Sequence, residues 1–256
     1  MLLTGAVLAI SIGSTKSQLS ANLTGVALAM LMIALLIRQE WVSEACLLPR
    51  NALRLRSPLL SLYLTIGLLV MGMTSETFVP YFLQNLHGQT PLISGYLAAL
   101  MAAGWTLAEI WSSGWRAKKV SRAIVAGPLL VLAGMVILAF FFPLQSDSGR
   151  MLVVIISLGL LLVGFGIGLG WPHLLTRVLD VPPRDEQDAA AASISTVQLF
   201  ATALGAALAG MLANLGGLNV PGGVEGASSA ARMVFSVLAV APLLAFFSAR
   251  RAALSQ

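Results

Sequence analysis

Charge is scarce in this sequence. Asp, Glu, Lys and Arg together make up 10% of its 256 residues, where a soluble domain carries roughly a quarter. A water-facing surface of ordinary extent is therefore excluded. The single cysteine, Cys46, excludes a disulfide framework and a cysteine-built metal site. There is no Ser/His/Asp set, no metal-ligand spacing and no lipidation motif, so neither an enzyme nor a resident cofactor is expected. The net charge of +5 does not point to nucleic acid, because the basic residues fall in short stretches between apolar blocks. Strict apolar/polar alternation is missing too, which removes a membrane β-barrel.

What remains is apolar: 58% of the residues, with a mean hydropathy of +0.90. These residues fall in blocks of about twenty, rich in Leu and Ala, the length a helix needs to cross a bilayer. In lipid every backbone polar group must be satisfied within the protein, so such blocks become helices. The expected fold is all-α and polytopic, with about eight transmembrane segments: Met1–Gly13, Ser20–Ile37, Ser57–Leu83, Pro91–Ser113, Arg122–Pro143, Met151–Leu175, Ala189–Leu215 and Ala230–Phe247. Turn-forming runs separate them, among them Gly13–Lys16, His87–Thr90 and Gln145–Gly149. Gly216–Ser229, Gly-rich and polar, reads as a flexible outer loop. No long soluble domain interrupts the series.

The cations test this layout. With the N-terminus inside, the inner connections hold Arg38, Arg50, Arg54, Arg56, Arg116, Lys118, Lys119, Arg122, Arg177, Arg184, Arg250 and Arg251, and the outer ones only Lys16, Arg150 and Arg232. That is twelve of the fifteen basic residues on one side, the positive-inside pattern for a chain with both termini cytoplasmic. The first segment is short for a span and has no basic flank, so it is not a secretory signal. It reads as a chain beginning within what was once a complete helix.

Two passages carry a resemblance. Val79-Pro80-Tyr81-Phe82-Leu83-Gln84, with Gly88, Pro91 and Gly95 after it, resembles the P-x-Y/F-L-Q passage at the exit of the first helix of the C-terminal bundle in the major facilitator superfamily. Gly164, Gly166, Gly168, Gly170 and Trp171-Pro172, followed by an acidic loop, the small run Ala189–Ser193, Gln198 and Gly205, is similar to that family's later Gly-rich passage. Ile37–Glu40 leading to Pro49–Arg54 looks like the junction into the bundle. The branch most resembled is that of drug:proton antiporters with fourteen spans. The resemblance implies two linker helices in residues 1–38, a cytoplasmic connection in 39–56 and a C-terminal six-helix bundle in 57–256, with an N-terminal bundle missing. Trp105–Trp111 departs from the small residues usual at that point, and the loop at Arg116 lacks the acidic partner often found beside it.

Of ten acidic residues only Glu76 and Glu109 fall within spans. An intramembrane carboxylate costs several kcal/mol and by default marks a proton or cation site. Glu76 stands one turn before Pro80, which offers no N–H to the carbonyl of residue 76, so the backbone there is expected to be frustrated. Its alternative reading is a carboxylate reaching water. Glu109 shares a polar stripe with Thr106 and the serines at 112 and 113; it reads either as a proton relay or as a carboxylate that reaches the inner interface or pairs with a loop cation. Thr74, Gln84 and Gln198 are the substrate-cavity candidates, with bonding across helices as the alternative for Gln198. Arg116, Lys118 and Lys119 form a cytoplasmic loop that the resemblance makes a gate. His173 is expected at the membrane interface. The pairs Gly164/Gly168, Gly166/Gly170 and Ala206/Gly210 are expected at close helix crossings.

The resemblance implies proton-coupled export of small amphipathic compounds across the cell inner membrane. Its partners would be protons, a small-molecule substrate, the bilayer and either an N-terminal bundle or a second copy. A non-transporting membrane partner protein and a small homodimeric transporter are the alternatives.

Overall fold

The computed structural model describes residues 2–13, 19–42, 49, 52–54, 57–116, 118–145 and 149–254. Cys46, Lys16, Arg50 and Arg56, parts of the turns at 13–16 and 145–149, and most of the 39–56 connection lie outside the described residues. Among those described, all regular structure is helical. A hairpin of α1 (Leu2–Gly13) and α2 (Leu19–Val42) comes first. The next rod is α3 (Pro58–Met73), a 3-10 turn at Thr74–Phe78 and α4 (Val79–His87) in series. Then follow α5 (Pro91–Ser112), α6 (Lys118–Phe141), α7 (Gly149–Asp180) and α8 (Gln187–Leu215). The last rod is α9 (Gly223–Leu238) continued by α10 (Val240–Leu254). Six rods are long and apolar enough to cross a membrane, from Pro58–His87 to Gly223–Ala253, and the eight segments read from the sequence each fall on one rod. The chain is a multi-pass membrane protein.

Both composite rods are broken by proline. Pro80 cannot donate to the carbonyl of Glu76, and the chain answers by tightening: the N–H of Val79 reaches the Glu76 carbonyl instead, in a 3-10 turn. The expected backbone frustration is thus relieved locally. Pro242 likewise cannot donate to Leu238, and the helix breaks at Ala239. Pro91 opens α5, where the Thr90 hydroxyl accepts the Ile93 N–H at 3.3 Å.

α7 is the central post. Gly164 and Gly168 turn one face to α5, where the carbonyls of Met101 and Trp105 occupy the space a Cβ would need. Gly166 and Gly170 turn the other face to α6, and a Cβ on Gly166 would lie 2.7 Å from the Gly127 carbonyl oxygen. The two overlapping glycine pairs therefore serve two different neighbours, and close backbone approach supplies the dispersion contact that lipid cannot compete with. The third expected pair does not pack: Ala206 is exposed and nothing approaches Gly210. α8 instead presents Ala201, Gly205 and Ala209 to the core, and Gly205 receives Thr74 of the 3-10 turn.

Two ends of the bundle are distinct. At one, Phe142 stacks on Phe235 with centroids 5.2 Å apart, Phe82 packs against both, and His87 bonds the Phe142 carbonyl through Nε2 at 3.1 Å. At the other, Arg177 of α7 joins α6 and α10. The loop expected over Gly216–Ser229 is shorter than that: α9 starts at Gly223, and Gly226, Ala227 and Ala230 are buried. Gly226 backs onto the Gly217 carbonyl, so the absence of a side chain, which reads as flexibility in sequence, is here what lets the helix close on the turn. Arg150 and Arg232, expected in outer loops, stand on α7 and α9. The α1–α2 hairpin lies against α8, with Ala6 and Ile10 of α1 packed beside Met211.

Candidate functional site

In a 3-10 turn successive side chains point about 120° apart. Thr74 is directed into α8 at Gly205, and its hydroxyl donates to the Met71 carbonyl at 2.6 Å. Ser75 is directed into α6, with its hydroxyl 3.6 Å from the Met135 sulfur. Glu76 takes the third direction. It is half-buried and lies about four residues past the middle of the Pro58–His87 span, roughly 6 Å toward the far end. Among the described residues its carboxylate meets neither cation nor hydrogen-bond donor. A desolvated, unpartnered carboxylate near mid-depth can take up and release a proton with little competition from neighbouring charge.

α3 and α8 run parallel, since Gly67 meets Val197 and Ala201 while Thr74 meets Gly205. Gln198 therefore sits on the same helix pair as Thr74, about two turns nearer the opposite end. It is half-buried at the edge of a face of α8 on which Ser195, Leu199, Thr202 and Ala206 are exposed. On α5 the exposed set includes Ala99, Ala102, Ala103 and Thr106. The alanines of this set, unlike Thr106, were not singled out in the sequence; the signal was there, as a repeat of three to four, but masked by the overall richness in Ala. Gln84 is half-buried at the Phe82 end, and its amide donates to the Pro80 carbonyl at 3.0 Å.

The other candidates gather at the opposite end and do not meet Glu76. Glu109 accepts the Trp105 Nε1–H at 3.1 Å, and Trp105 in turn packs edge-on against Trp171. Its hydrogen bond is thus within its own helix, to an indole donor and not to a loop cation. Arg116, Lys118 and Lys119 are exposed. His173, whose expected depth is the membrane interface, is buried against its neighbours, with the Ser112 carbonyl and Arg177 beside its ring. Its helix is one of the two most enclosed by neighbours, which draws even residues near its end out of solvent. Arg177, read in the sequence only as a loop cation, donates from Nη1 to the Ala252 carbonyl at 3.0 Å and from Nη2 to the Ser121 hydroxyl at 2.9 Å.

Two proteins of Mycobacterium tuberculosis, from strains CDC 1551 and H37Rv, are each 34% identical to this chain over 251 residues and bear the name "Probable multidrug-efflux transporter". The alignment takes in 97% of this chain and 52% of each relative. The chain thus spans about half the length of the curated relatives it matches. Residues 1–206 match the family profile described as Major Facilitator Superfamily. With the glycine-faced helices and the proline-broken spans on the positions that carry the motifs, the chain belongs to the Major Facilitator Superfamily.

Proposed function

We propose that residues 57–256 form one six-helix half of a proton-coupled exporter of small amphipathic compounds, with α1 and α2 as the linker pair of a fourteen-span transporter. Glu76 is the proton carrier, and the open face of α5 and α8 bears half of the substrate route. The observation that carries this reading is the half-buried Glu76 carboxylate, unpartnered among the described residues and near mid-depth on a proline-broken span. The relatives' printed name supports the export of drugs. The twelve-to-three distribution of cations supports an inner-membrane orientation with both termini cytoplasmic. Facilitator sites lie between two halves that rock against each other, so one half alone cannot alternate access.

The test is efflux of a fluorescent amphipathic dye from cells making the 256-residue chain, with and without a facilitator N-terminal bundle supplied. Efflux is expected only when the second half is present. It should collapse on addition of a protonophore, and Glu76→Gln should abolish the proton-driven part while leaving membrane insertion intact. Full efflux from Glu76→Gln would remove the carboxylate from the mechanism. Efflux from the chain alone would favour a self-associating transporter.

A further inference from the structure

An open cleft of about 630 Å³ lies where the end of α6 meets the first two turns of α9. Glu225, Ser228, Ser229 and Arg232 line it from α9, and these are positions i, i+3, i+4 and i+7 of one helix face. The opposing wall is Pro143, Leu144 and Gln145, and the Ser228 hydroxyl donates to the Pro143 carbonyl at 2.8 Å, fixing α9 to the end of α6. None of the transport candidates takes part. The cleft thus holds one carboxylate and one guanidinium, and among the described residues neither is engaged in an ion pair. They stand seven residues apart, about 10 Å along the helix axis, so a ligand between them can meet one charge at each end.

The surroundings say what kind of ligand that is. Leu144 and Val224, both nearly half exposed, form the apolar rim of the cleft. One turn before Leu144, Phe140 is 70% exposed on α6, and Val136 is exposed a turn further down. A polar head site with charges of both signs thus opens at the end of an apolar strip running toward mid-depth. We infer that this cleft binds the headgroup of a zwitterionic phospholipid bearing a phosphate and a primary ammonium, with its acyl chains along the exposed strip of α6. Arg232 and Ser229 take the phosphate oxygens. Glu225 accepts N–H bonds from the ammonium, and the Gln145 amide can serve either end. A quaternary ammonium has no N–H for Glu225, and a headgroup with net negative charge meets repulsion there. The site therefore ranks phosphatidylethanolamine above phosphatidylcholine and phosphatidylglycerol.

The experiment titrates the detergent-solubilised chain with dihexanoyl forms of these three lipids separately, counting bound lipid by native mass spectrometry. Phosphatidylethanolamine is expected to bind about five- to tenfold more tightly than the other two. Glu225→Gln should remove that preference and admit phosphatidylglycerol. Arg232→Gln should weaken all three, whereas Arg232→Lys, which keeps the charge, should retain the ranking and guard against a mere folding defect. Equal binding of the three lipids, or a ranking untouched by Glu225→Gln and Arg232→Gln, would overturn the assignment. Soluble glycerophosphoethanolamine, titrated in parallel, separates the sources. Weaker binding than the lipid supports a membrane ligand, and equal binding removes the acyl chains from the site and with them the lipid.

Discussion

At the scale of single residues, Arg177 shows how a cation can be structural in a chain whose cations otherwise mark orientation. Its half-buried guanidinium holds the start of α6 through Ser121 and the end of α10 through the Ala252 carbonyl. Hydrogen bonds from a charged donor contribute roughly 1.5–3 kcal/mol each in net terms, toward the lower figure where water has access. Arg177→Met keeps the aliphatic packing and removes both donors, so a loss of about 3 kcal/mol is expected, read as a lower unfolding midpoint in detergent. Arg177→Lys should fall between, because one ammonium cannot reproduce the fork that spans two acceptors. An unchanged midpoint in Arg177→Met would mean that water replaces both bonds without loss. The sequence places Arg177 near the C-terminal end of α7 but says nothing of its two partners, which lie 56 and 75 residues away. Glu76 was legible for the opposite reason: a carboxylate inside an apolar block stands out before any partner is known.

At the scale of elements, the helices were legible because lipid imposes a length and a composition on each of them. Helix faces were less so, and α8 shows why. Its sequence offers two small-residue stripes, Ala201/Gly205/Ala209 and Ala206/Gly210, and composition cannot choose between them. The choice is made by Thr74 and Met71, which need the space over Gly205. The glycines of α7 were unambiguous, since both of their stripes are used. Two substitutions separate these cases. Gly168→Val places a branched side chain where the Trp105 carbonyl lies, and a backbone atom cannot be pushed aside cheaply. A loss of more than about 3 kcal/mol, seen as failure to recover folded protein from membranes, is expected. Gly210→Ala meets nothing within 4 Å and removes a glycine from a helix interior, so a gain of about 0.5–1 kcal/mol is expected. Similar behaviour of the two variants would show that the α7 crossings are looser than their geometry implies. The start of α9 was illegible for a related reason: glycine signals a turn and a close contact equally well, and Gly226 is the latter.

At the scale of the whole molecule, what matters is which surface meets lipid and which meets water. Buried residues make up 22% of the apolar stretch of α5 and 33% of that of α8, against 56% for α7, so α5 and α8 carry the least enclosed faces of the bundle. Exposure alone does not distinguish a lipid-facing helix from one lining an aqueous route, but residue type does. Along the apolar middle of α6 the exposed positions are Leu129, Ala133, Val136 and Phe140, a set that suits acyl chains. On α8 they are mixed, with the hydroxyls of Ser195 and Thr202 beside Leu199 and Ala206. Leu129 and Thr202 make a matched pair, each within about a turn of the middle of its own helix. In a chain with Cys46→Ser and the N-terminal bundle supplied, a hydrophilic, membrane-impermeant maleimide should label Thr202→Cys and leave Leu129→Cys untouched. A thiol in hydrocarbon stays protonated and unreactive, whereas one in a wet cavity reaches the thiolate form. Amphipathic substrate in excess should slow labelling at Thr202→Cys. Failure of both positions to react would place the exposed face of α8 in lipid or beneath another helix, and the substrate route would then have to be sought on another face of the bundle.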